Sequence, residues 1–319
     1  MMTPAEIRLK QNPILTSLLL GMGQGTFIAE KLFPRLPQSL SSVMLAQVSD
    51  ERFRKYNLRR APGAPTKRID IKYDGKVYTV DQYSVEVPLP RELLRESDES
   101  RRLNVGNYLD ISRIAMVTAN DILALDYEIE VATLATTPAT YASGHVMALA
   151  GATKWSAETG TPVDDIDAAH NLIRKKIGKR ANKLVLSADA FIAVKNNLQV
   201  RSYLPDSQLG APTLAQLANI FNVKVIEIGD AIWKDETDTG LDVWGNNAVL
   251  SYVPEFANSS GDISLAEPAF GFTNVMDGHP YAETPYYDNS AKSWIYGATY
   301  ERRPNVAYNT AAVLFQNPK

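Results

Sequence analysis

The chain has 319 residues, of which 45% are hydrophobic and 22% are charged, and its net charge at pH 7 is −3. This length and composition are typical of a folded protein with a sizeable core, and the slightly acidic balance provides no overall basic field for nucleic acid. There are no cysteines, which excludes disulfides, thiolate metal sites and cysteine nucleophiles and suits folding in a reducing compartment.

Residues 1–52 are predicted to form an irregular arm. Prolines at positions 4, 13, 34 and 37 interrupt any long helix, and three glycines lie within residues 21–25. That glycine segment lacks the Gly-Lys-Ser/Thr ending of a phosphate-binding loop. The apolar run at 14–20 is too short to span a bilayer, and no secretory pattern precedes it. We therefore expect an arm that becomes ordered against a partner, and no membrane segment.

Residues 53–90 have a local excess of positive charge, and residues 67–87 within them predict an extended β-hairpin. Asp74 and Gly75 would form its two-residue turn, because both tolerate a positive φ. Apolar and aromatic residues occupy odd positions on both sides of this turn. An isolated two-stranded ribbon is only marginally stable in water, so we expect the hairpin to lie on an adjoining subunit.

The residues that this hairpin region would present to another subunit are basic or aromatic. They are Arg54, Arg59, Arg60, Lys67, Lys72, Tyr73, Lys76 and Tyr78. Carboxylates on a neighbouring copy, such as those of Glu96, Asp98 and Glu99, would pair with this basic face. Nucleic-acid binding through stacked tyrosines is the alternative, and the acidic overall charge argues against it.

Residues 91–136 predict one long helical stretch, because they contain no proline and a single interior glycine, Gly106. Gly106 would kink this stretch or separate a short leading helix. If it runs continuously over residues 104–134, the helix would be roughly 45 Å long at ~1.5 Å per residue. Six residues recur at the spacing of one helical face: Ile111, Ile114, Thr118, Ile122, Leu125 and Ile129.

A connection rich in small residues, 139–162, precedes a block of alternating helices and strands. Helices are predicted at 164–177, 188–196 and 213–221, and strands at 183–187, 224–228 and 248–253. Gly178 would stop the first helix, at whose negative end three basic residues lie. This block, residues 163–290, is predicted to be an α+β domain. Residues 293–309 alternate as a strand that would return to the domain of the long helix.

No pattern indicates catalysis or a metal site. The three histidines are His145, His170 and His279, and they lack ligand-like spacing; neither His-Glu-x-x-His nor Gly-x-Ser-x-Gly occurs. The acidic stretch between Asp235 and Asp242 misses the spacing of a calcium-binding EF-hand, and we interpret it as a solvated loop. The sequence therefore predicts a protein that is not an enzyme, with no cofactor and no metal.

The order of these parts resembles the major capsid proteins of tailed bacteriophages with the HK97-type fold. Stretches that carry the resemblance are residues 31–94 (KLFPRLPQ…PLPRELL), 153–197 (TKWSAETG…AVKNN), 213–233 and 243–254. The resemblance implies an α+β fold in four parts. These are an N-terminal arm (1–52), an extended E-loop hairpin (53–90), a peripheral domain with the spine helix (91–162 and 291–319) and an axial domain (163–290).

The resemblance also implies a function and partners. Copies of the chain would form pentamers and hexamers of an icosahedral shell around double-stranded DNA, in a virion assembled in the bacterial host's cytoplasm. A separate scaffolding protein, a portal at one vertex and, in some relatives, a decoration protein would be further partners. The alternatives are an encapsulin-type nanocompartment shell and, in a different class, an α/β enzyme that uses residues 163–290.

Overall fold

The structure is a computed structural model that describes residues 27–48, 55–62, 66, 68, 73–102, 110–205, 210–254 and 268–319. Its helices are α1 (Ala29–Leu32), α2 (Arg91–Arg102), α3 (Ile111–Thr136), α4 (Pro162–Ile177), α5 (Ala188–Asn196), α6 (Leu198–Ser202) and α7 (Leu214–Ile220). Strands β1 to β7 are Arg35–Gln38, Ser42–Val48, Tyr73–Thr79, Asp81–Pro90, Val146–Ala148, Lys183–Ser187 and Val225–Gly229. Strands β8 to β15 are Ile232–Lys234, Gly240–Asp242, Asn247–Ser251, Gly271–Met276, Tyr281–Ala282, Tyr286–Asp288, Ser293–Val306 and Ala312–Gln316.

A six-stranded sheet is built around the long strand β14. Strands β4, β11, β12 and β13 all pair with β14 antiparallel, and β1 is parallel to β11 at the edge. In β4, exposed and partly buried residues alternate, because successive side chains of a strand point to opposite faces. Tyr83, Val85 and Val87 pack inward against a cluster that includes Met116, Leu123 and other α3 residues. The long helix therefore lies on one face of this sheet.

A five-stranded sheet in the order β5-β15-β10-β6-β7 forms the second layer. Its middle strands are continuous apolar runs; Val313, Leu314 and Phe315 are all fully buried, as expected for strands covered on both faces. Helix α4 contributes Ile166 and Ile173 to the same core. This core also contains residues from α1 and α3, so it joins the two layers.

Several boundaries in the alternating block are confirmed. Strand β6 and helix α5 have the predicted bounds, 183–187 and 188–196. Gly178 ends α4 with a φ of 73°, in the left-handed region that a residue without Cβ adopts at little cost. Thr213 begins α7 with a capping box, in which its hydroxyl accepts from Gln216 N and its own N donates to the Gln216 side chain.

The predicted turn of the hairpin is wrong. Asp74 and Gly75 lie inside β3, opposite Gln47 and Ala46 of β2. The antiparallel ribbon is therefore formed by 42–48 and 73–79, and the chain between them includes residues outside the described ranges. The second predicted arm of the hairpin, at 81–90, pairs instead with β14 over ten residues. The long-range partner β14 offers a full ladder and an apolar face, and this outweighs a local Asp-Gly turn signal.

The predicted irregular arm is also partly wrong. Within 1–52, residues 1–26 lie outside the described part of the chain, but 27–38 form α1 and β1. Ile28, Leu32 and Phe33 are at most 2% exposed and belong to the main core. Their burial makes this segment part of the globular body.

The long helical stretch consists of two helices. Asp110 caps α3 by accepting a hydrogen bond from Arg113 N at 3.1 Å, so the long helix begins at Ile111; Gly106 lies outside the described residues. The face marked by the isoleucines is not the buried one, since Ile114 and Ile122 are each 48% exposed. The buried face consists largely of smaller or polar residues: Ala115, Met116, Ala119, Leu123, Tyr127, Glu128, Val131, Ala132 and Ala135.

The two sheets cross the predicted domain boundaries. Strands β11, β12 and β13, at 271–288, belong to the β14 sheet and not to the sheet of the alternating block. Conversely, β5 and β15 lie in the five-stranded sheet, although 91–162 and 291–319 were assigned to the other domain. The division into peripheral and axial domains stays a prediction, with a different strand content from the one expected.

Candidate functional site

The ribbon of β2 and β3 is the first candidate contact surface. Its two strands form a sheet of their own, with seven paired positions from Ser42↔Thr79 to Val48↔Tyr73. In β3 the side chains alternate: Val77 is 60% exposed and Tyr78 is 7% exposed. A two-stranded sheet leaves backbone donors and acceptors along its outer edges. The ribbon therefore presents both strand edges and an apolar side chain to a partner.

The structure distributes the predicted contact residues unevenly. Arg59 and Arg60 are exposed, and Arg60 Nη1 donates to Thr66 Oγ1 at 3.1 Å. Tyr73 and Lys76 lie in β3, opposite Val48 and Leu45. The buried Tyr78 has little surface left for a partner. Arg54, Lys67 and Lys72 lie outside the described residues.

Helix α2 is the acidic counterpart of this basic region. Glu92, Glu96, Asp98 and Glu99 are exposed on it. Glu92 pairs with Arg91 at 3.0 Å and Glu99 with Arg102 at 3.3 Å, but exposed ion pairs of this kind contribute only about 0–1 kcal/mol. No ion pair among the residues that the structure describes involves Glu96 or Asp98.

Arg302 fastens β14 to the long helix below the ribbon. It is fully buried, its Nη2 donates to Asp126 at 2.7 Å, and its Nη1 donates to Glu130. Its guanidinium also lies 4.1 Å from the ring centroid of Tyr83 on β4, a favourable cation–π distance. Burial raises the pKa of Glu130, and the charge of Arg302 opposes that rise. One side chain thus joins α3, β4 and β14.

Glu128 holds a second junction, between the start of the described chain, α3 and the loop after β9. Its carboxylate is fully buried and accepts from Ile28 N at 3.0 Å, from Ala29 N at 2.7 Å and from Trp244 Nε1 at 2.7 Å. Burial raises the pKa of Glu128, although the three donors favour the charged form. We call this set of groups the Glu128 junction.

Sequence reasoning missed both Arg302 and Glu128. The available signal was a charged residue at an inward position of an alternating strand or on the apolar side of a helix, since such a charge needs a buried partner. The partners could not have been named, because Ile28 is 100 residues away from Glu128 and Asp126 is 176 residues away from Arg302.

Exposed apolar side chains form further candidate contacts. Ile114 and Ile122 lie on the outer side of α3. In the small β8–β9 ribbon, Ile232 is 56% exposed, Trp233 38% and Leu241 40%. Large apolar residues that remain exposed in a single chain are typical of surfaces that another chain covers.

The described residues contain no group of three or more His, Asp or Glu side chains that could hold a metal ion. His145 and His170 each bond to a backbone carbonyl oxygen, of Ala312 and Phe221 respectively. In the acidic loop, Asp235 Oδ1 accepts from Thr237 and Thr239 within the loop. None of the described helices is long and apolar enough to cross a membrane.

Comparison with known proteins gives consistent relatives. No family model matches the chain. The chain is 31% identical, over 87% of its length and 87% of the relative's, to the major capsid protein of Burkholderia phage BcepMu. It also resembles a crystal structure of a phage-related protein from Bordetella bronchiseptica, with 34% identity, a TM-score of 0.76 and 97% of each chain covered.

A more distant likeness extends to a cellular shell. The holo-SrpI encapsulin complex from Synechococcus elongatus matches with a TM-score of 0.54 and 14% identity, covering 99% of this chain and 95% of that one. At this identity the likeness shows a shared fold and nothing about cargo.

Proposed function

This chain belongs to the phage major capsid proteins and has their HK97-type α+β fold, and from that premise we propose that its copies assemble as pentamers and hexamers of an icosahedral shell that encloses double-stranded DNA. It is a structural shell protein of the virion. The observation that best supports the detailed proposal is the β2–β3 ribbon, whose strands pair with no further strand of the described chain.

The ribbon is the element through which each copy reaches a neighbour. A contact across its edge would complete backbone hydrogen bonds, and a contact over Val77 would bury an apolar side chain that is 60% exposed in the single chain. Many contacts of modest strength suffice for a closed shell, since each copy is held at several places at once.

Charge complementarity sets which neighbouring surface the ribbon region meets. The exposed Arg59 and Arg60 approach the exposed carboxylates of Glu96 and Asp98 on α2 of the next copy. Pairs of this kind mainly fix register and partner choice. Within this proposal Lys76 and the other predicted basic residues of 53–90 contribute to the same field.

The wider assembly follows from the family. A separate scaffolding protein directs the shell in the host cytoplasm, a portal occupies one vertex, and a decoration protein binds the outer surface in those assemblies that have one. The encapsulin alternative rests on fold alone, so we retain it as an outcome of the test. The axial α+β block has no role as an enzyme in this proposal.

The test reverses the charge of the two exposed arginines. We expect Arg59→Glu with Arg60→Glu to abolish most shells in electron micrographs while circular dichroism of the subunit stays unchanged. The matched control, Arg201→Glu with Lys234→Glu, alters two exposed cations outside the ribbon region and should leave shell yield within about twofold of wild type.

Restoring opposite charge provides the second arm. Adding Glu96→Arg and Asp98→Arg to the reversed ribbon should recover shells if these surfaces meet. Normal shell yield from the arginine variant would refute the charge pairing. Nuclease-protected DNA in native particles supports the phage shell, whereas a protein cargo in its place would support the encapsulin alternative.

A further inference from the structure

A basic groove lies where helix α4 ends and strands β6 and β7 begin. Its volume is about 560 Å³, and it is lined by Lys179, Arg180, Ala181, Asn182, Asn222, Val223, Lys224 and Tyr252. Three of these eight residues are cations, and none is a carboxylate. We call this set the basic groove.

Helix electrostatics explains only part of this charge. Arg174, Lys175 and Lys176 occupy the last turn of α4, where the negative end of the helix favours cations. That effect fades within one turn of the helix end. It does not account for Arg180 beyond Gly178, or for Lys224, which is brought in by a different strand. The groove therefore concentrates cations beyond what the helix requires.

The nearest acidic side chains on the same elements have other partners or lie away from the groove lining. Glu227 of β7 pairs with Lys31 at 2.9 Å. Asp167 lies two turns earlier on α4 and acts on His170, whose pKa it raises, while Arg180 lowers it. The positive field of the groove is thus not cancelled from within its own lining.

The lining also differs from a typical protein-binding surface. Its apolar members, Ala181 and Val223, are 3% and 8% exposed, so the accessible surface is polar. The cores of protein–protein interfaces are apolar, whereas interfaces with DNA are more polar and more positive. Cations and amides are the groups that contact phosphate oxygens.

We propose that the basic groove binds the phosphodiester backbone of double-stranded DNA, through Arg180 and Lys224 together with Lys179. This rests on the proposed function, in which DNA fills the shell. Lys179 is partly a structural residue, because its Nζ donates to Tyr252 Oη at 3.0 Å. The binding is independent of base sequence, since no group in the groove reads base edges in its role as a phosphate ligand.

The test compares two double variants of the full chain. Arg180→Gln with Lys224→Gln removes two groove cations and spares Lys179, whereas Arg201→Gln with Lys234→Gln removes two exposed cations elsewhere. Binding of a double-stranded DNA fragment is measured over a range of salt concentrations. We expect the groove variant to bind about tenfold more weakly at low salt and its slope of log K against log salt to fall by roughly 2, at about 0.9 per lost contact.

The control variant should bind within about twofold of wild type. Equal losses in both variants would overturn the proposal, because they would reflect net charge alone. Polyglutamate is the competitor that tests an acidic protein ligand; if it displaces DNA as efficiently as unlabelled DNA does, the groove is not selective for phosphates and the proposal fails.

A measurement on the unaltered chain guards against variants that fail to fold. DNA should protect Lys224 and Lys179 from acetylation, read by mass spectrometry, and leave Lys234 reactive. Protection of all three lysines to the same extent would contradict the proposal. Shell formation, scored by electron microscopy on the same samples, separates the outcomes: intact shells with an unprotected groove reject the groove alone, whereas absent wild-type shells reject the proposed function.

Discussion

The Glu128 junction and the β2–β3 ribbon obtain their stability from different sources. At the junction, three donors from two distant segments converge on one buried carboxylate, and the surrounding side chains belong to the main core. In the ribbon, the two strands pair only with each other among the described strands, and Val77 remains largely exposed. One region is complete within a single copy, and the other lacks partners on its outer edges.

This difference separates folding from assembly. A subunit that completes its junction by itself can fold before it meets another copy. A ribbon that is only marginally stable alone gains its remaining contacts when a neighbour arrives, so assembly can proceed without unfolding the core. Substitutions in the two regions should therefore affect different measurements.

The largest effect on subunit stability is expected at Glu128. Glu128→Ala removes the acceptor for three buried N–H groups, each of which costs about 1–3 kcal/mol when left unsatisfied, so the free energy of unfolding should fall by about 4 kcal/mol. Urea denaturation of the unassembled subunit measures this. Glu158→Ala, at an exposed position, is the control and should change stability by less than about 0.5 kcal/mol. A loss at Glu128 no larger than the control's would contradict the role of the junction.

The packing of Trp244 gives the next effect. A Cβ at Gly229 would lie 2.4 Å from Cδ1 of Trp244, the residue that donates to Glu128. Gly229→Ala should therefore lower the free energy of unfolding by about 2 kcal/mol, as overpacking does. At Gly240 the nearest atom would be Ile232 Cδ1 at 4.0 Å, so Gly240→Ala should be nearly neutral. Equal thermal midpoints for the two variants would show that Trp244 shifts freely.

Acid should weaken the core side of the comparison by a smaller amount. Burial lowers the pKa of His170 below its ordinary value of 6.5, so the unfolded chain binds more protons and the free energy of unfolding falls as pH drops through 6.5. Burial lowers the pKa of His279 in the same way. His170→Gln should reduce the slope of stability between pH 7.5 and 5.5, measured by denaturation at each pH. An unchanged slope would mean that His170 does not contribute.

The smallest effect on subunit stability is expected in the ribbon, at Val77. Val77→Asp should change the free energy of unfolding by less than about 0.5 kcal/mol but sharply reduce the number of shells in electron micrographs. The adjacent residue Tyr78 points the other way and is buried, so Tyr78→Ala should cost roughly 3 kcal/mol. If both substitutions destabilised the subunit equally, the ribbon would belong to the core and the comparison would fail.

The sequence predicted local features better than pairings. The bounds of β6 and α5, the stop at Gly178 and the cap at Thr213 depend on groups a few residues apart. The ribbon was correctly expected in this part of the chain, yet its turn was misplaced. The pairing of 42–48 with 73–79 depends on strands far apart along the chain, and no local pattern specifies that register.

The candidate contact surface was likewise predicted in part. Arg59 and Arg60 are exposed as expected, whereas Tyr78 is buried. The apolar face of α3 was hidden from the sequence, because alanines can line a helix that packs closely on a sheet and isoleucines can remain on its outer side.

By itself, the sequence determined the order of the elements, the alternating block and the resemblance to a shell protein, because periodicity, caps and proline positions act within a few residues. The tertiary structure alone decided which strands share a sheet, that residues 27–38 belong to the core, and that Glu128 and Arg302 hold the layers together. These outcomes depend on contacts between residues that are 100 or more positions apart, and burial of a charge becomes stable only where its distant partners converge.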